Sequence, residues 1–247
     1  MAKQRCQRPL SFSFHPPYDA RGGYTMTDFH IILTPGEGGL SAASALHYAA
    51  LAGLRFAALI LPWEENGFSA LAKTAKLVRT YSLYANVEAR TGVELCHVPP
   101  ALIPSAVQEA RAAGAELVLV HGETLCDQVE AGTNLAAIEA GADILAHPGL
   151  IDAEAAAFAA EKGVALEFTS CPKHGLTNAH TAAMALRFGC PLVRGSAARR
   201  AEEITTRAFW PFVIKGADVF TPEKYKVNLL ELLRESEENL IKKLMKA

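Results

Sequence analysis

The 247-residue chain lacks the marks of several large protein classes. Cysteine is sparse. The five residues Cys6, Cys96, Cys126, Cys171 and Cys190 make an odd number with no Cys-x-x-Cys spacing. That argues against a disulfide framework and against a structural zinc knuckle, and reduced thiols in a cytoplasmic protein are expected. No run of about 18 apolar residues occurs, so no membrane-spanning helix is expected. Neither sign of charge is in excess: 24 Lys and Arg against 26 Asp and Glu leave −2. The densest basic clusters are the pairs Arg199-Arg200 and Lys242-Lys243. Neither nucleic acid nor a membrane surface is an expected partner. The first 25 residues carry Arg5, Arg8 and Arg21 without a continuous apolar core, which speaks against a secretory signal. They are expected to be a loose extension ahead of a single domain over 26–247.

What the chain does have is a repeated grammar. Apolar runs at 27–33, 56–61, 87–95, 117–121, 144–146, 165–168 and 192–194 have the length and composition of strands buried on both faces. Alanine-rich stretches at 41–51, 68–82, 103–113, 134–140, 152–162 and 181–188 lie between them. Ser41 and Asp152 suit helix N-caps, and Gly53, Gly114, Gly141, Gly163 and Gly189 stand where helices stop. The pattern is β-α repeated seven times, hence a parallel sheet, and the count favours closure into a distorted seven-stranded α/β barrel. The stretch 222–246 reads as a long final helix with a leucine stripe at 229, 233, 240 and 244.

The histidines follow the strands. His30 lies in the first run; Glu94 and His97 end the third, His121 the fourth and His147 the fifth. In a β/α barrel the C-terminal strand ends form one face on which side chains converge. Imidazoles with a carboxylate at such a place are the donors a divalent transition ion takes. Cys96 beside His97 is no dyad, because adjacent strand residues point to opposite faces.

The words GVELCHVPPALIP, VLVHGET, GTNLAAIEAGADILAHPGLI and LEFTSCPKHGLTNAH resemble the histidinol-phosphatase-related branch of the PHP (polymerase and histidinol phosphatase) family. The resemblance covers roughly 180 residues. It implies a PHP/TIM-like barrel holding zinc or manganese for phosphoester hydrolysis. By position it carries over His30, Glu94, His121 and His147 as metal ligands. Asp28 also fits the pattern, and Glu37 stands where a further ligand is usual. Five ligand positions are filled instead by Ile32, Leu61, Pro62, Ala197 and Arg199, none of which donates a lone pair to a metal.

The implied protein is therefore a weakened metal-dependent phosphoesterase with one ion and a small phosphorylated metabolite as substrate. Glu123 and His174 are its expected proton-transfer groups, and Arg199, His180 and Asn178 its expected substrate contacts. The alternative is a catalytically inactive barrel of the same family that binds a metabolite or a protein partner. An amidohydrolase-like or isomerase barrel is disfavoured, because no lysine stands at a strand end to bridge metals.

Overall fold

The structure is a computed structural model and describes residues 26–63, 70–218 and 228–246. The expected loose extension at 1–25 and the expected start of the last helix at 222 lie outside them. Seven parallel strands are joined in chain order: β1 (Thr27–Ile32), β2 (Phe56–Pro62), β3 (Glu88–Leu95), β4 (Leu117–His121), β5 (Ile144–Ala146), β6 (Ala165–Thr169) and β7 (Leu192–Gly195). Ile32 N–H donates to the Ala198 carbonyl just past β7 at 2.8 Å, and Ile31 and Ala198 form a parallel bridge, so the sheet nearly closes into a barrel.

Helices α1 (Ala42–Leu51), α2 (Leu71–Ala85), α3 (Ile103–Ala112), α4 (Thr133–Glu139), α5 (Ala153–Lys162) and α6 (Asn178–Phe188) follow the first six strands in turn. Two more, α7 (Trp210–Asp218) and α8 (Leu229–Lys246), come after β7. The caps read from the sequence are in place. The Ser41 hydroxyl accepts from Ser44 N–H, and Asp152 Oδ1 accepts from Ala155 N–H at 2.8 Å. Gly163 ends α5 in the left-handed region at φ 67°, where a Cβ would be strained. α7 was not anticipated; it packs Trp210, 1 % exposed, against the barrel.

Two apolar clusters show how the strands point. Phe29, Ala58, Ile60, Leu117, Leu119, Ile144, Ala165 and Val193 fill the interior. Ala57, Leu59, Val93, Leu95, Val118, Val120, Leu166 and Phe168 face the helices. The period of two is plain in β4, where 117 and 119 turn inward and 118 and 120 outward. The end of α8 completes the interior: Leu244 is buried in that cluster, and Leu240 and Ile241 pack against it, while Leu229 and Leu233 join the helix-facing cluster. Glu237 of the same helix is 3 % exposed and pairs with Arg194, 3 % exposed, at 2.5 Å. No helix among the described residues is long and apolar enough to cross a membrane.

Candidate metal centre

Following the same alternation up the strands reaches the site. One inward step past Gly92 in β3 is Glu94, one past Leu119 in β4 is His121, and one past Ala165 in β6 is Glu167. Apolar inward residues low in the barrel thus give way to carboxylates and imidazoles at its C-terminal end. Two residues escape the alternation. The β1–β2 register is irregular between Asp28 and Ile31, so His30 faces inward although Phe29 does too. His147 follows outward-facing Leu145 by two, yet its backbone is left-handed at φ 49°, which swings the imidazole into the barrel. A histidine held in that region is strained locally, and such strain concentrates at functional sites.

The result is a linked cluster. Glu94 lies between two imidazoles, with Oε1 3.1 Å from His121 Nδ1 and Oε2 3.3 Å from His30 Nε2. Glu167 Oε2 lies 3.1 Å from His30 Nδ1 and 3.5 Å from His147 Nδ1. The His147 ring stacks on that of His174 at 3.9 Å between centroids. Asp127 Oδ2 stands 3.4 Å from His121 Nε2 and 3.7 Å from His174 Nε2. Gly195 of β7 leaves room for the cluster, since a Cβ there would lie 2.2 Å from Glu167 Oε1 and 2.8 Å from His30 Cβ.

Electrostatics follows from this packing. Burial opposes a charge on His30, but the carboxylates of Glu94 and Glu167 on either side outweigh it and raise its pKa well above the usual histidine value. The two carboxylates thus favour positive charge at this point of the cluster. Burial also opposes ionisation of Glu94 and Glu167. The neighbouring imidazoles overcome it, drawing Glu94 well below the usual carboxylate range and Glu167 down to about 2. His147 has no such surplus: burial lowers it to about 3, keeping a neutral ring with a free lone pair. Burial, with His121 nearby, lowers His174 to about 4. The hydrogen bond from Lys173 lowers the pKa of Asp127. Burial and the Glu94 charge push the Cys96 thiol up, so no thiolate nucleophile forms beside His97.

The residues present fit a divalent ion. His30 Nε2, Glu94 Oε2, His121 Nε2, His147 Nδ1 and Glu167 Oε1 are all buried without a hydrogen-bond partner, although buried polar atoms ordinarily have one. Bonds of about 2.0–2.1 Å at tetrahedral angles put ligand atoms about 3.4 Å apart, near the 3.3–3.5 Å spacings found here. Three groups are close enough to hold an ion: His30, His147 and Glu167; Glu94, His121 and His147; His121, Asp127 and His174.

The four histidine and glutamate ligands expected from the sequence are thus brought together with His174. Glu167 and Asp127 were missed. Glu167 did leave a signal, an acid inside an otherwise apolar buried strand; Asp127 lies in a loop and left none. The remaining expected site residues sit elsewhere. Glu123 Oε1 accepts from the N–H groups of Gly132 and Asn134 at 3.0 and 2.9 Å, at the start of α4. Asn178 clasps the end of β6, accepting from Thr169 N–H and donating to its carbonyl. His180 Nε2 donates to the Ile151 carbonyl at 2.7 Å. Arg199 is exposed, its N–H bonded to Glu203. Asp28 Oδ1 accepts from the His30 and Ser196 N–H groups, tying β1 to the chain after β7.

No family model matches the chain. The uncharacterized protein MJ1295 of Methanocaldococcus jannaschii is 40% identical over 133 residues, which are 53% of this chain and 61% of that protein. The match therefore spans less than two thirds of the relative's length.

Among solved structures, a Xaa-Pro dipeptidase with bound methionine is similar at TM-score 0.53 and 11% identity, over 90% of this chain and 76% of its own. The A. niger ochratoxinase is similar at TM-score 0.51 and 12% identity, over 85% and 74%. A beta-aspartyl dipeptidase of Fervidobacterium islandicum AW-1 gives TM-score 0.51 and 12% identity, over 87% and 73%. At these identities the likeness is one of fold.

These findings overturn the PHP resemblance. The solved structures named above are two dipeptidases and an ochratoxinase, none described as a PHP protein, and no family model matches the chain. The expectation that disfavoured such a fold for want of a strand-end lysine falls with it.

Proposed function

We propose that the chain is a metal-dependent hydrolase whose metal is held within the cluster of His30, Glu94, His121, His147 and Glu167, and that it cleaves a carbon–nitrogen bond of an amide or peptide-like small molecule. The observation that carries the metal is the set of five buried, unpartnered donor atoms, whose residues fall into two overlapping groups of three, His30, His147 and Glu167, and Glu94, His121 and His147. The bond class is supported by the fold shared with two dipeptidases and an ochratoxinase. A phosphoester substrate loses its support with the PHP resemblance.

When bound, a divalent ion of the zinc or manganese class polarises a carbonyl and lowers the pKa of a bound water. The chain's own groups supply the rest. Neutral His147 offers a lone pair without first losing a proton, while His30 releases one as an ion displaces its charge. Glu94 and Glu167 stay ionised and neutralise the cation. Asp127 stands on the open side of the cluster, about a quarter exposed, and is kept ionised by Lys173. Its Oδ2 faces His121 Nε2 and His174 Nε2 at the mouth. Glu123 is tied down at the start of α4, and His174 stacks on His147.

The test is a panel of dipeptides, N-acyl amino acids and an aryl phosphate, assayed with metal-stripped and zinc- or manganese-loaded protein. Metal-dependent turnover of an amide substrate, lost in Glu94→Gln, is expected. Failure to take up any ion, or turnover of the aryl phosphate alone, would overturn the proposal.

A further inference from the structure

Asp127 and His174 have a relation to His121 that the inner ion does not explain. Two loops, one after β4 and one after β6, meet at the mouth and are stitched together three times. Thr124 Oγ1 is 2.8 Å from His174 Nδ1, Cys126 Sγ donates to the Lys173 carbonyl at 2.6 Å, and Lys173 pairs with Asp127 Oδ1.

The stitching fixes which atoms remain free. With Nδ1 bonded to Thr124, His174 presents Nε2. With Nδ1 bonded to Glu94 Oε1, His121 also presents Nε2, which is buried and unpartnered. With Oδ1 on Lys173, Asp127 presents Oδ2. These three free atoms face one another. The separations from Asp127 Oδ2 are 3.4 and 3.7 Å, too long for hydrogen bonds and close to the edge of a zinc tetrahedron. Each imidazole has its other nitrogen held by a carboxylate or hydroxyl, the arrangement that orients metal-binding histidines.

We infer that His121 Nε2, Asp127 Oδ2 and His174 Nε2 form a second, outer site for a divalent transition ion. Two imidazoles and one carboxylate leave a fourth position open toward the mouth and suit an ion of the zinc class. Occupation of this site leaves His30, His147 and Glu167, with Glu94 alongside, to hold the inner ion. His121 then joins the two sites, bonded to the outer ion through Nε2 and to the inner carboxylate Glu94 through Nδ1. The inference rests on the hydrolase reading only in that both place metal at this barrel mouth.

The full chain, stripped with chelator, is titrated with zinc by calorimetry, and bound metal is counted by elemental analysis after desalting. Two ions per chain are expected. His174→Ala and Asp127→Asn should each leave one. Glu167→Gln should lose the inner ion and keep the outer. Thr124→Val, which keeps every ligand, should weaken the outer ion by about 10–100-fold. Thermal melts of the metal-free variants check that each is folded, and Thr124→Val serves if an alanine variant is not. One ion per chain, lost in Glu167→Gln and retained by His174→Ala and Thr124→Val, rejects the outer site and leaves the hydrolase proposal intact. No ion in any form rejects both.

Discussion

Replacing Glu167 by glutamine tests the electrostatics of the centre without changing its shape. In the metal-free protein the carboxylate faces His30 Nδ1 at 3.1 Å and His147 Nδ1 at 3.5 Å, and its pKa falls from 4.5 to about 2. At about 1.4 kcal/mol per unit, that difference of about 2.5 units is worth about 3 kcal/mol of folding stability at neutral pH. The sign is that of a depressed carboxylate: the contribution is present above pH 4.5 and is lost as pH falls toward 2. Glutamine removes it and leaves the His30 imidazolium with Glu94 alone, in the range of about 3–5 kcal/mol for breaking a buried pair. For a domain of this size about 1 kcal/mol moves the melting temperature by about 2–4 °C, so a drop of about 6–20 °C is expected at pH 7. The assay is a melt of chelator-stripped protein followed by circular dichroism, repeated with zinc. Zinc should raise the melting temperature of the natural chain by more than that of the variant. A metal-free variant that melts at or above the natural chain would refute the reasoning, since Glu94 and Glu167 would then be repelling each other more than His30 joins them.

Two further outcomes are expected. Metal-free protein should lose stability as pH falls from 6.5 toward 3, because His147 is neutral when folded and titrates near 6.5 when unfolded; at pH 5 the loss from this residue is about 2 kcal/mol, taken as 1.5 units at about 1.4 kcal/mol each. His30 contributes the opposite slope, but only above pH 6.5, so it does not mask the acid loss; urea melts from pH 7 to 4 should show the slope in the natural chain and a flatter one in His147→Gln. Gly195→Ala should weaken inner-ion binding and cost about 1–3 kcal/mol, because the new methyl would meet Glu167 Oε1 and His30 Cβ at 2.2 and 2.8 Å, and an unchanged zinc titration would show that β7 does not shape the site.

The barrel was legible in the chain because its signals are local. A buried parallel strand is a short apolar run whatever it packs against, and all seven such runs became strands, with 117–121 and 144–146 matching to the residue. Ser41 and Asp152 act within three residues of themselves, so their capping roles needed no tertiary context. Trp210 gave no comparable local pattern, and α7 went unseen. Imidazoles and a carboxylate at consecutive strand ends likewise pointed to a candidate metal centre before any fold was known. Which side chains complete it was decided by the closed barrel. His30 and His147 turn inward through a register irregularity and a left-handed backbone, and neither is written in a period of two. Glu167 becomes a partner of His30 across 137 positions of sequence only because β1 and β6 face the same interior. Asp127 joins the cluster because two loops distant in sequence are stitched side by side. Donor chemistry is a property of residues, and the chain alone displays it; coordination is a property of distances between strands, and only closure of the sheet sets those.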